Sequence, residues 1–191
     1  MKKFSLLLLL VSCSLASQKK WNVGVNLSAV TFGGEGSVKV QETVNTQFPS
    51  IQLSRKLGKN ISADFIYTFE LLGSSQNSNS FNYASFDAYL RYNLPKIFLN
   101  IVPFGGVGFG YIEGATTTPN PKESLSLNIT GGGTLWVSKR FGLTGRLIYK
   151  YVSSDSESMA SHIQVIGGIV YRFDLNFPFG EGRSRIWNMK H

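Results

Sequence analysis

The sequence predicts an all-β fold, with eight antiparallel strands closed in up-and-down order into a barrel. Three observations carry that reading. Long segments alternate with period two, as in Ile61-Ser62-Ala63-Asp64-Phe65-Ile66-Tyr67-Thr68-Phe69-Glu70-Leu71, so each has one greasy and one wet face. The connections between segments alternate between tight and long. The two faces differ in side-chain volume as well as polarity, which decides which of them points outward.

The chain opens with features of an export signal over residues 1–16. Lys2 and Lys3 form a positive start, Phe4 to Val11 a short apolar stretch, and Ser14-Leu15-Ala16 offers small residues for cleavage. Leu10-Val11-Ser12-Cys13 also has the form of a lipobox, which leaves lipidation of Cys13 open. The apolar stretch is too short to span a bilayer as a helix, and nothing later approaches about 18 apolar residues. Cys13 is the only cysteine, so cleavage after Ala16 leaves no disulfide framework and no thiolate metal site. The net charge of +8 is spread over the chain without a basic stripe or a recognition motif, which argues against nucleic acid as a partner.

The strand-like segments run 21–32, 46–57, 61–72, 81–94, 97–112, 125–137, 141–152 and 161–173. Each matches or slightly exceeds the roughly 9–11 tilted residues that cross a bilayer. Gly58-Lys59-Asn60, Pro95-Lys96 and Ser138-Lys139-Arg140 are the tight connections, while 33–45, 73–80, 113–124 and 153–160 are longer and polar. Short turns at one rim and long loops at the other fit a membrane barrel whose termini share the short-turn side. Val38, Val40 and Val44 alternate with polar residues, so the first hairpin is expected to extend beyond the membrane. The run Phe104-Gly105-Gly106-Val107-Gly108-Phe109-Gly110 has no following helix to make a phosphate loop of it. Its glycines are expected to allow a bulge, a bend or close approach of side chains crossing the lumen.

Volume sets the direction of the faces. The apolar face carries Phe65, Tyr67, Phe69, Phe86, Tyr92, Phe109, Tyr111, Phe141, Leu147, Tyr149, Tyr151, Tyr171 and Phe173. An eight-stranded barrel is just wide enough for side chains to fill, and that many rings would not fit inside it. The opposite face, with Asn22, Gly24, Asn26, Ser28, Ser54, Ser62, Thr68, Asn128, Thr130, Gly132 and Thr134, does fit. The bulky face therefore points out, into lipid. Trp21, Tyr92, Phe141, Tyr171 and Phe173 fall near the short-turn ends and Phe69, Tyr83, Tyr111 and Tyr151 near the others, as two interfacial belts. A soluble lipocalin-like barrel is the alternative architecture.

From 21 to 173 the chain resembles the small eight-stranded outer-membrane β-barrels of Gram-negative bacteria, the OmpA/OmpX-like class, and especially its Bacteroidetes-type, porin-family members. The most specific feature is the last strand, Gly168-Ile169-Val170-Tyr171-Arg172-Phe173. Gly168, Tyr171 and Phe173 resemble the signal by which the barrel-assembly machinery recognises its clients. Phe173 departs from that pattern in not being the last residue. The resemblance implies a signal peptide over 1–16, a barrel over 17–173 and a short periplasmic tail over 174–191, too short for the peptidoglycan-binding domain of larger members. It also implies outer-membrane lipid and the assembly machinery as partners, in the bacterial outer membrane with periplasmic termini.

The wet face holds Lys56, Asp64, Glu70, Asp87, Arg91, Arg146, Lys150 and Arg172. Unpaired ions in a narrow lumen are unfavourable, so pairing is expected. Strand direction suggests a lower cluster of Asp64 with Arg91, Arg146 or Arg172, and an upper one of Glu70 or Asp87 with Lys150. Such a network would plug the lumen, giving a non-enzymatic structural, surface-interaction or envelope-complex protein. A narrow porin-like channel is one alternative, although water-filled pores normally need about 16 strands or more. A lipid-modifying enzyme is another. It would need a histidine base beside a serine and a carboxylate, and only His162 and His191 are available. Ser161 should point away from His162, Glu157 lies in the preceding loop, and Gln164 stands where deacylase-like barrels carry a serine. His191 has no visible partner residues. No catalytic, cofactor-binding or metal residues are assigned. The long loops, rich in Ser, Thr, Asn and Gly, are left to carry any extracellular ligand. The segment from Phe177 to Trp187 is a candidate periplasmic contact.

Overall fold

A computed structural model describes residues 20–32, 44–69, 83–114, 123–153 and 159–174. Within them eight strands follow in chain order: β1 (Lys20–Phe32), β2 (Val44–Lys56), β3 (Ile61–Thr68), β4 (Tyr83–Asn93), β5 (Ile101–Gly114), β6 (Ser124–Trp136), β7 (Phe141–Val152) and β8 (His162–Asp174). Each pairs antiparallel with its neighbours, and β1 closes on β8, so the sheet is a barrel in up-and-down order. Closure gives each of these strands a neighbour on both sides, the arrangement a bilayer would demand because it offers no water to exposed backbone groups. The residues of the expected leader, the tail from 175, and Val38 and Val40 of the first loop lie outside the described residues.

Alternation is strict along the most regular strands. In β7 every odd position from Phe141 to Tyr151 is exposed and every even one from Gly142 to Val152 is buried. The outward set includes Leu125 at 76% exposure and Phe109 at 70%, while Asp64, Asp87 and Lys150 are wholly buried inside. A soluble barrel would reverse this arrangement. The register is continuous except between β1 and β2, where Asn26 faces Ser50 but Ser28 faces Gln47. Leu27 thus opposes both Phe48 and Pro49. Pro49 has no amide hydrogen to give the ladder, and a bulge is where a strand accommodates that.

The short turns are tied by their own backbones. Leu57 and Gly58 amides donate to the Ile61 carbonyl, and the Ser138 hydroxyl accepts from the Arg140 and Phe141 amides. The middle turn corrects the expected Pro95-Lys96 connection and the start of a strand at 97. Phe98–Asn100 form one 3-10 turn in which Leu99 and Asn100 hold φ of 58° and 62°, so β5 starts only at Ile101. Consecutive left-handed residues cannot continue a strand.

The lumen is less polar than its small residues suggest. Ile66, Tyr89, Ile148 and Ile166 form a buried apolar layer. A second group, Val30, Phe32, Tyr83, Ile112, Val152 and Met159, fills the long-loop end. Tyr83 therefore does not belong to the outer aromatic belt. It shares the odd parity of Ser85 and Asp87, the inward positions of β4, and is 1% exposed. At the opposite rim the belt is as expected: the Phe141 and Tyr171 rings lie 4.9 Å apart, and Tyr171 stacks on Phe173 at 6.4 Å.

Candidate functional site: the charged lumen

Strand pairing determines which charges meet. Ser62 faces Arg91 and Asp64 faces Tyr89 across β3 and β4, while Arg146 projects from β7 on the far wall. The Asp64 carboxylate accepts from Arg91 Nη1 at 3.1 Å and from Arg146 Nη2, with the carboxylate fully buried. Two guanidiniums against one carboxylate leave one positive charge in excess. Aromatic faces offset part of it, since a ring quadrupole attracts a cation. The Arg91 guanidinium lies 4.7 Å from the Phe104 centroid, and that of Arg146 lies 5.0 Å from Phe104 and 5.4 Å from Tyr89.

The upper cluster is built around Lys150. Its ammonium donates to Tyr83 Oη at 3.0 Å, Ser85 Oγ at 2.9 Å and Asp87 Oδ2 at 2.8 Å, which engages all three of its hydrogens. Asn128 donates to Asp87 Oδ1 at 2.8 Å, and Ser126 in turn donates to Asn128 Oδ1 at 2.7 Å. Tyr83 Oη also lies 2.9 Å from His162 Nε2, and His162 Nδ1 lies 2.8 Å from the Ala160 carbonyl. A carbonyl only accepts, so Nδ1 carries the hydrogen. In the neutral ring Nε2 then accepts from the tyrosine. The two clusters are separated along the barrel: Ile148 stands between Arg146 and Lys150 on β7, and Ile66 follows Asp64 on β3.

Glycines make this possible on β5 and β6. Gly106, Gly108 and Gly110 face Arg91, Tyr89 and Asp87 across the strand pair. A Cβ on Gly110 would fall 2.6 Å from Ser126 Oγ and 2.8 Å from Asn128 Nδ2. Gly132 leaves space in the same way for the Phe104 ring, whose Cζ would be 2.9 Å from a Cβ there.

Of the other expected residues, Glu70 lies outside the described residues. Lys56 lines the short-turn mouth rather than either cluster. Arg172 stands over Trp136, its guanidinium 3.6 Å from the ring centroid, with Nε donating to Asn22 Oδ1 at 3.4 Å. Gly168 packs against β1, where a Cβ would come within 2.5 Å of Asn26 Cα. Tyr171 and Phe173 face outward beside Phe141 and Trp21. Sequence reasoning missed Tyr83, Tyr89 and Phe104 as lumen residues. Parity with Asp87 and Arg91 identifies the first two, and the register of Phe104 opposite Gly132 explains the third.

The His162 surroundings are occupied. Ser161 Oγ is bonded to the Val152 amide and carbonyl at 3.0 and 3.2 Å, and Gln164 Nε2 donates to Ser28 at 2.7 Å. Glu157 lies outside the described residues. Among the described residues there is no group of three or more His, Cys, Asp and Glu side chains placed to hold a metal ion.

The architecture is that of a small eight-stranded antiparallel β-barrel with an apolar outer face, and solved outer-membrane proteins share this fold. The chain is similar to the N-terminal β-barrel domain of Pseudomonas aeruginosa OprF, with a TM-score of 0.57 and 11% identity, over 82% of this chain and 98% of that one. It is similar to Neisserial surface protein A with a TM-score of 0.57 and 13% identity, over 82% and 97%. To outer membrane protein H of P. aeruginosa the TM-score is 0.55 with 16% identity, over 81% and 99%. No protein-family model and no curated protein matches the chain.

Proposed function

We propose that this chain is a non-enzymatic outer-membrane protein of the OmpA/OmpX-like, Bacteroidetes type, with a plugged lumen. In this reading residues 1–16 direct export, and both termini and the short turns face the periplasm. The barrel acts as a rigid frame for its long loops, which meet an extracellular ligand or a neighbouring envelope component. The observation that carries it is the inversion of faces, with Leu125 and Phe109 exposed outside and the Asp64 and Asp87 ion pairs sealed inside. The apolar layer of Ile66, Ile148 and Ile166 between the two clusters supports a lumen closed to ions. Both ring nitrogens of His162 have partners, which supports a structural role for it over a catalytic one. Gly168, Tyr171 and Phe173 remain the proposed assembly signal, the two rings offering an outward patch on the last strand.

Two measurements test the reading. Circular dichroism should show a cooperative β-signal in detergent or vesicles and none in plain buffer. Good folding in buffer alone would remove the membrane assignment. Planar-bilayer recordings should show no stable conductance steps, and regular unitary steps would replace the plug with the narrow channel.

A further inference from the structure

The short-turn mouth of the barrel holds a cavity of about 350 Å³ whose walls come from strands and turns that are distant in sequence. Lys56 reaches it from β2, Lys59 from the first short turn and Lys96 from the second. Arg172 reaches it from β8, its guanidinium fixed on the Trp136 ring at 3.6 Å. Arg91 lies at the floor, more than nine-tenths buried, and its Nε has no hydrogen-bond partner. Arg91 is itself one of the two guanidiniums on Asp64, so this cluster, counted with Arg91, carries one excess positive charge. No carboxylate is among the described residues that line the cavity.

We propose that this mouth binds a compact phosphate-bearing anion. Several cations converging on a concave, low-dielectric site focus a positive potential into it, which raises the local concentration of anions. Lysine ammoniums act as mobile point charges for phosphate, and the Arg172 guanidinium, held on the Trp136 ring, adds a positive charge at a fixed place in the wall. The volume lies near the lower end of small-molecule sites, which suits a pyrophosphate or a phosphorylated headgroup and not a polymer. A phospholipid headgroup and a free phosphate compound share this chemistry. Placement on the periplasmic side rests on the orientation proposed above, but the site itself does not.

The test uses the full chain folded in an uncharged maltoside detergent, titrated with inorganic pyrophosphate by calorimetry. Saturable one-site binding that weakens with added salt is expected. The triple variant Lys56→Gln, Lys59→Gln, Lys96→Gln should weaken it about tenfold or more. Lys139→Gln with Arg140→Gln removes two exposed cations of the third short turn, on the same rim but outside the cavity, and should leave binding unchanged. Heat-modifiable gel mobility establishes that each variant is folded. Non-saturating uptake, or equal losses in the two variants, would show a diffuse basic rim and overturn the site. In nanodiscs, competition by phosphatidylglycerol over phosphatidylcholine assigns the site to a lipid headgroup, and its absence to a free phosphate. Binding in detergent is read without reference to which side the mouth faces, so the orientation can fail while the site stands.

Discussion

Lys150 on β7 and Asp87 on β4 face each other across the lumen, Nζ 2.8 Å from Oδ2, with neither side chain exposed. Asp87 also accepts from Asn128 and Ser85, so both ends of the pair are held by neutral groups. A buried pair of this kind is weak evidence for net stabilisation, because desolvation opposes the attraction. Removing one partner is a different matter, since it strands the other ion.

Asp87→Ala should therefore destabilise the barrel by about 3–5 kcal/mol, and Lys150→Met by a comparable amount. The double variant should be less destabilised than the sum, with a coupling of about 0.5–3 kcal/mol. Denaturant unfolding in vesicles, followed by tryptophan fluorescence, measures all three. Additivity would mean that the pair does not interact in the folded lumen.

The lower cluster yields an ordering rather than one number. Asp64 is shared by Arg91 and Arg146, so losing either arginine leaves a matched pair. Losing the carboxylate leaves two like charges confined together. Asp64→Ala should thus be more destabilising than Arg91→Ala or Arg146→Ala, and non-additive with each. Arg172→Ala should add to Asp64→Ala with no coupling, since Arg172 rests on Trp136. Coupling to Arg172 in a double-mutant cycle would contradict the arrangement.

Much of this is legible in the chain because a barrel strand repeats one local rule. Parity puts Asp64, Asp87, Arg91, Arg146 and Lys150 on one face, and antiparallel order puts them at two depths. What parity does not supply is the register across eight strands, and register selects partners. Lys150 and Tyr83 are 67 residues apart, and their contact depends on every pairing between β4 and β7. Tyr83 is easily misplaced because an aromatic near a strand end suits a headgroup belt equally well; only its parity with Asp87 tells otherwise. The start of β5 is hidden for a local reason, since nothing in Phe98-Leu99-Asn100 announces two left-handed residues in succession.

Glycine on β5 tests the packing around the upper ion pair without removing a charge. Gly110 faces Asp87, and a Cβ there would press on the Asp87 Oδ1 carboxylate oxygen and crowd Ser126 Oγ at 2.6 Å and Asn128 Nδ2 at 2.8 Å. Gly110→Ala should destabilise by about 1–3 kcal/mol through overpacking of a hydrogen-bonded site. Gly131 faces outward with nothing within 4 Å of an added methyl, so Gly131→Ala is the matched control and should be close to neutral. Equal effects at the two positions would mean that backbone entropy, rather than lumen space, sets the response.

The last prediction bears on the outer wall. Val107 lies at the middle of β5, exposed and opposite Ile129, whereas Leu125 stands one residue into β6 at the long-loop end. Both point away from the lumen, so neither substitution disturbs the ion clusters. If lipid covers this wall, an arginine meets the hydrocarbon centre at 107 and the interface at 125. Val107→Arg should destabilise the barrel in vesicles by about 2–4 kcal/mol and Leu125→Arg by about 0–1 kcal/mol. Both substitutions introduce the same arginine, so the comparison turns chiefly on depth, with only the valine and leucine starting points differing. Equal, small effects at both depths would place water against the wall at Val107, and the reading of this face as a membrane surface would fall with it.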